Sequence, residues 1–127
     1  MKYRKYNMKS GINPKLLKTI NYDYVGKKIE INISTNEFTC VCPWSGLPDY
    51  ATIKLNYIPN KKCIELKSLK YYLQSYRNVG IVHENVVNRI LDDIIKLCDP
   101  IEAHIEAEFN IRGGLKTTVK RDYVKER

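Results

Sequence analysis

Cys42 is the side chain in this sequence best placed for covalent chemistry, because it stands directly before Pro43. Proline suits the first position of a helical turn, which would leave the thiol at that turn's N-terminus, among backbone N–H groups that favour negative charge. A thiol so placed titrates below its free value of ~8.5 and populates the thiolate, the nucleophilic form. Asp49 follows seven residues later, and the intervening loop can return its carboxyl group to the sulfur for proton transfer. A buried, inert cysteine is the competing reading, and local pattern alone leaves both open.

Three other groups have chemical potential. His83-Glu84 falls between two predicted helices, at an edge where loops carry functional side chains, although Glu84 near a helix start is equally an ordinary dipole-stabilised carboxylate. Lys67 and Lys70 lie one turn apart with Ser68 at the helix start, a cradle for an anionic cofactor or simply a solvated face. His104 belongs to the polar face of a strand and is expected in solvent. The six glycines form neither G-x-G-x-x-G nor a P-loop, so those two phosphate-binding devices are excluded.

The elements that must position these residues can be read from periodicity. From Lys28 onward Ile29, Ile31 and Ile33 alternate with polar residues, which predicts a strand with one buried face. A loop rich in turn formers follows. Ala51, Ile53, Leu55 and Tyr57 then alternate in a second strand that Pro59-Asn60 ends. Leu69, Tyr72, Leu73 and Tyr76 recur at helical spacing and predict a helix over residues 68–77, closed by Asn78 and Gly80. From Glu84 a second helix carries Val87, Ile90, Leu91, Ile94 and Ile95 on its buried stripe, and Pro100 stops it. Ile101, Ala103, Ile105, Ala107 and Phe109 alternate with polar residues in a third strand, Gly113-Gly114 turns the chain, and Leu115, Thr117 and Val119 mark a fourth. The order β-β-α-α-β-β predicts an α+β fold, helices on one face of an antiparallel four-stranded sheet.

With 127 residues, 43% of them hydrophobic, the chain suits one domain, expected over residues 28–120. Residues 1–27 read as a basic N-terminal extension and 121–127 as a charged C-terminal tail. The net charge of +8 is concentrated: residues 1–28 hold eight basic residues against one acid, Asp23. A solvated extension explains this, and the interleaved Tyr3, Tyr6, Tyr22 and Tyr24 keep an RNA-contacting role open. No apolar run approaches the ~20 residues that span a bilayer, and the start lacks a secretory signal, so a cytoplasmic protein with no membrane partner is expected. Cys40, Cys42, Cys63 and Cys98 then read as reduced thiols. Cys40-Val41-Cys42 is not a zinc knuckle, and neither histidine has familiar zinc spacing, so no metal is expected.

The string Glu37-Phe38-Thr39-Cys40-Val41-Cys42-Pro43-Trp44-Ser45-Gly46-Leu47-Pro48-Asp49-Tyr50-Ala51-Thr52-Ile53 resembles the active-site segment of the QueF family of nitrile reductases. Glu65-Leu66-Lys67-Ser68-Leu69-Lys70 is similar to that family's NADPH-associated motif, and Tyr76-Arg77-Asn78, His83-Glu84 and Arg112-Gly113-Gly114 follow at matching places. The resemblance implies a tunnelling fold (T-fold), in which subunit sheets join edge to edge as a barrel and sites form between subunits of a homo-oligomer. It implies reduction of 7-cyano-7-deazaguanine to its aminomethyl counterpart by NADPH, through a Cys42 thioimide, in queuosine biosynthesis. Asp49 would supply a proton and His83 would relay one or position substrate. Ile64, Glu65, Leu66, His83 and Glu84 would bind substrate, and Lys67, Ser68 and Lys70 would meet cofactor phosphates. Cys40, Cys63 and Cys98 would be structural, and no nucleic acid would be required. Trp44 departs from the pattern, where a polar or basic residue is frequent.

Two rival readings have their own residues. A relative that attacks a nitrile on transfer RNA and adds ammonia would share Cys42 but would not need Lys67 and Lys70. A non-enzymatic RNA-binding module would explain the charge but not the spacing of Cys42, Asp49, His83 and Glu84.

Overall fold

The protein is seen in a computed structural model that describes residues 11–126. The first part of the expected basic extension, with Lys2, Arg4, Lys5 and Lys9, lies outside the described residues. Among the described residues a short 3-10 helix (Pro14–Leu16) precedes six strands and two α-helices: β1 (Thr19–Asn21), β2 (Ile31–Val41), β3 (Pro48–Ile58), β4 (Lys62–Ile64), α1 (Leu66–Gln74), α2 (His83–Cys98), β5 (Glu102–Phe109) and β6 (Thr118–Val124). The main sheet has the order β2-β3-β5-β6 with every pair antiparallel, and β1 pairs with β4 in a separate ribbon. The α+β reading and the two helices agree with the sequence; β1 and β4 are additions.

β2 runs well past the predicted first strand, and a bulge explains why alternation hid this. Thr35 pairs with Ile53 and Phe38 with Ala51, so β2 carries one extra residue there. An extra residue flips the side-chain phase. Ile31 and Ile33 are half-buried before the bulge, whereas Phe38 and Cys40 are buried after it. β6 also extends beyond expectation, taking in most of the residues read as a charged tail. Val119 and Tyr123 are half-buried, but Arg121 stands between them and donates to Asn88 Oδ1 at 3.1 Å and Asp92 Oδ1 at 2.8 Å on α2. An arginine in the inward row disguised the strand.

The core lies between the sheet's inner face and the helices. β3 contributes Ala51, Ile53, Leu55 and Tyr57; α2 contributes Val86, Val87, Ile90, Leu91 and Ile94. α1 meets α2 through a polar chain: the Tyr72 hydroxyl donates to Asp93 Oδ2 at 2.5 Å, the Tyr72 and Tyr76 hydroxyls are 2.7 Å apart, and Arg89 donates to the same Asp93 oxygen at 3.0 Å. Such bonds to a charged partner contribute about 1.5–3 kcal/mol each.

The described part of the N-terminal extension packs on the domain. Ile12 and Leu17 are buried, and Lys18 O accepts from Glu65 N at 3.0 Å. The segment thereby braces the start of α1. Among the described residues no helix is long and apolar enough to cross a membrane.

His104 is not a lone solvated side chain: Nδ1 is 2.6 Å from Asp122 Oδ1 on β6 and Nε2 is 3.0 Å from Glu102 Oε1. Bonding to Asp122, against a desolvation penalty, and then to Glu102 raises its pKa above 6.5. A raised folded value stabilises the protein fully below the unfolded pKa and loses that effect as pH rises through the folded one. The melting temperature should therefore fall between pH 6 and pH 9 by more in the unaltered protein than in His104→Gln, as thermal melts at the two pH values would show; equal falls would contradict it.

Candidate active site

Cys42 follows the last residue of β2, and two sets of backbone bonds place it. Cys42 N donates to Leu47 O and Gly46 N donates to Cys42 O, both at 2.9 Å, which closes the turn at residues 43–45. Gly46 takes φ 75°, a left-handed conformation that glycine adopts without strain. On the other side, Val41 N donates to Val79 O at 2.9 Å and Ile81 N to Val41 O at 3.1 Å. This bridge carries the chain entering α2 alongside the end of β2, and so brings His83 to the cysteine loop.

Cys42 is half-buried. Burial alone would raise its pKa, but the Ser45 hydroxyl and the N–H groups of Ser45 and Trp44 interact with the sulfur and bring it below the ordinary value, over an upward push from Asp49. The turn at residues 43–45 thus places N–H groups by the sulfur, as the helical turn expected after Cys42 would. Cys40, by contrast, is buried and its thiol is pushed up to about 12, chiefly by burial and then by Asp49 and Cys42.

Asp49 occupies the core-facing row of β3, in line with Ala51, Ile53, Leu55 and Tyr57, and is only 5% exposed. Its Oδ2 lies 3.2 Å from His83 Nε2, and its Oδ1 accepts from Arg112 Nη1. The Thr39 hydroxyl donates to the Asp49 backbone carbonyl at 2.8 Å. The His83 ring is stacked on Phe109, with centroids 3.6 Å apart and planes 1° from parallel. Thr39 and Arg112 stood in the family-like strings without an individual role, and Phe109 was read only as part of a strand. Arg112 opens the glycine turn just beyond the inward-facing Phe109.

Asp49 and His83 are in contact, and Asp49 is near enough to act electrostatically on Cys42. Glu84 is exposed in the first turn of α2. The remaining predicted residues gather around the start of α1. The Glu65 carboxylate accepts from Lys67 N at 2.8 Å and Ser68 N at 3.0 Å, capping the helix. Ile64 is buried, while Leu66 is 60% exposed and Lys67 and Lys70 face solvent. Ser68 is buried, its hydroxyl donating to Glu65 O at 2.6 Å and accepting from Lys18 N at 2.9 Å, so its polar capacity is spent within the chain. A groove of about 200 Å³ runs between α1 and the bulged part of β2, lined among others by Thr35, Glu37, Thr39, Lys70, Gln74 and Arg77.

Fold and site together define a small α+β domain with a cysteine-bearing turn beside a carboxylate–imidazole pair. A family model described as QueF-like protein matches residues 48–127. A protein of Thermoanaerobacter pseudethanolicus, NADPH-dependent 7-cyano-7-deazaguanine reductase, is 51% identical over 91% of this chain and 87% of its own length. The protein of the same name from Chloroherpeton thalassium is 51% identical over 91% of this chain and all of its own. A crystal structure of archaeosine synthase QueF-Like in the apo form superimposes with a TM-score of 0.65 at 20% identity, covering 75% of this chain and 91% of that one, a likeness of fold. The chain belongs to the QueF family.

Thiol reactivity should follow these environments. Limiting iodoacetamide at neutral pH is expected to alkylate Cys42 first, ahead of Cys63, whose thiol burial raises, and of Cys40 and Cys98, both pushed to about 12. Peptide mass mapping would check this, and first modification at Cys63 would contradict it.

Proposed function

We propose that this protein is an NADPH-dependent 7-cyano-7-deazaguanine reductase that makes the 7-aminomethyl base for queuosine biosynthesis. The observation that carries the reading is the Cys42–Asp49–His83 constellation in a chain half identical to reductases of that name over almost its whole length. Cys42, activated by the turn at residues 43–45, attacks the nitrile carbon, and Asp49 delivers the proton to nitrogen, giving a thioimide. NADPH supplies hydride. A nitrile needs four electrons to become an amine, so two equivalents act in turn, the second on the imine left when sulfur departs. His83, held flat on Phe109 and bonded to Asp49, relays protons, and limiting water access would protect the imine.

Substrate recognition falls to Glu84, with Ile64, Glu65 and Leu66. A carboxylate accepts strong hydrogen bonds from the N–H donors of a deazaguanine ring. Lys67 and Lys70 fit the cofactor's phosphates, and Arg77 adds a second cation to the groove that Lys70 lines. Ser68 acts on the cofactor only indirectly, by anchoring α1 to Lys18. The exposure of Glu84, Leu66, Lys67 and Lys70 suits walls supplied by another subunit. β2 and β6 bound the main sheet, and edge-to-edge pairing through them would build the barrel of a tunnelling fold and cover open strand edges. The enzyme works in the cytoplasm without obligatory nucleic acid.

The test combines turnover with mass. NADPH consumption should reach two equivalents per 7-cyano-7-deazaguanine, and intact mass spectrometry without cofactor should show a covalent adduct. Cys42→Ala should lose both, and Asp49→Asn should slow turnover about 10²–10⁴-fold. An adduct without NADPH oxidation would indicate the amidine-forming chemistry instead; turnover retained by Cys42→Ala would overturn the assignment.

A further inference from the structure

A carboxylate in the core-facing row of a strand must have both oxygens partnered, because an unpaired buried charge is costly. For Asp49 one partner is the imidazole of His83, and the other is the guanidinium of Arg112, which stays protonated at any working pH. The other titratable groups acting on this site are the thiols of Cys40 and Cys42 on β2 and its following turn. Cys40 is held as a neutral thiol. Arg112 is thus the permanent counter-charge of Asp49.

The chain around Arg112 is built to aim it. Arg112 and Leu115 exchange backbone hydrogen bonds of 2.9 Å in both directions, closing a tight turn. Gly113 at φ 58° and Gly114 at φ 79° take left-handed conformations that side chains other than glycine rarely adopt. Arg112 Nη1 also donates to Pro48 O at 3.3 Å, so the guanidinium grips both the carboxylate and the backbone just before it. The side chain is 40% exposed and contributes little to the core.

We infer that Arg112 is a positioning residue for thioimide formation: it holds the Asp49 carboxylate in place beside Cys42 as the acceptor of the thiol proton. The inference rests on the reductase reading above. In that step the Cys42 proton passes to Asp49, the S–C bond forms as one nitrile π bond breaks onto nitrogen, and Asp49 returns the proton to that nitrogen. The carboxylate is restored and no electrons are gained or lost. Without the guanidinium, Oδ1 would lose the partner that fixes the carboxylate, and the proton acceptor would no longer be held in one orientation.

Adduct formation without cofactor isolates this step from any effect of Arg112 on NADPH. Its rate, followed by intact mass, should fall about tenfold or more at neutral pH in Arg112→Ala. Arg112→Lys, which keeps the positive charge, should restore most of the rate. Circular dichroism and thermal melts would show that both variants fold. An Arg112→Ala protein with unchanged rate would overturn the inference, as would a loss that lysine does not rescue. No adduct in the unaltered protein would instead sink the reductase reading, and the positioning role with it.

Discussion

The site is organised by one requirement: Asp49 is a carboxylate in a row of core-facing side chains. Ala51, Ile53, Leu55 and Tyr57 occupy the same row of β3 and are buried among apolar neighbours. A charge at the end of that row must draw partners from other segments, and it draws them from two that are distant in sequence. His83 comes from the first residue of α2 and Arg112 from the turn beyond β5. Each of these segments is then held by backbone bonds of its own, at Val41 with Val79 and Ile81, and between Arg112 and Leu115. The carboxylate therefore ties together three parts of the fold around the cysteine loop.

Cys42 benefits from the same arrangement without being buried by it. Three residues before it, Thr39 donates to the Asp49 carbonyl, and two residues before it Cys40 faces Asp49 across the strand pair. Because side chains alternate along a strand, a buried Cys40 implies that Val41 points away. The turn that follows then frees Cys42 from the alternation, so its thiol meets N–H groups rather than core side chains. Two cysteines separated by one residue thus acquire opposite chemistry from geometry alone. Cys40 becomes an inert filler, and Cys42 gains thiolate character.

Much of this was legible in the sequence where periodicity was unbroken. The stripe Val87, Ile90, Leu91, Ile94 and the alternation from Ala103 to Phe109 located α2 and β5 closely. Legibility failed where a single residue broke the pattern for a physical reason. The bulge after Thr35 reversed the phase of β2, and Arg121 put a charge in the inward row of β6. β1 and β4 are three residues each, too short for any period to register. In the site, Pro43 and the spacing to Asp49 made Cys42 a candidate, and the family-like string around them decided the reading. Arg112 stood in such a string too, but its role was hidden because its partner lies 63 residues away and only the fold brings the two together.

A four-electron reduction sets a demand that the two halves of this surface meet differently. Under the proposed chemistry the substrate must stay fixed while one oxidised cofactor leaves and another arrives. A covalent bond to Cys42 would hold the substrate during the first transfer, and the paired Asp49 and His83 would keep proton delivery at the same place throughout. Lysines that met the cofactor's phosphates would have the opposite need, since a cofactor bound too tightly would stall the exchange. Lys67 and Lys70 are exposed, and ion pairs in water are worth only about 0–1 kcal/mol each. Permanent groups belong at the carbon that changes, and weak, replaceable ones where the reductant docks. The separation of a partnered, buried acid–base centre from a solvated basic helix face follows that division.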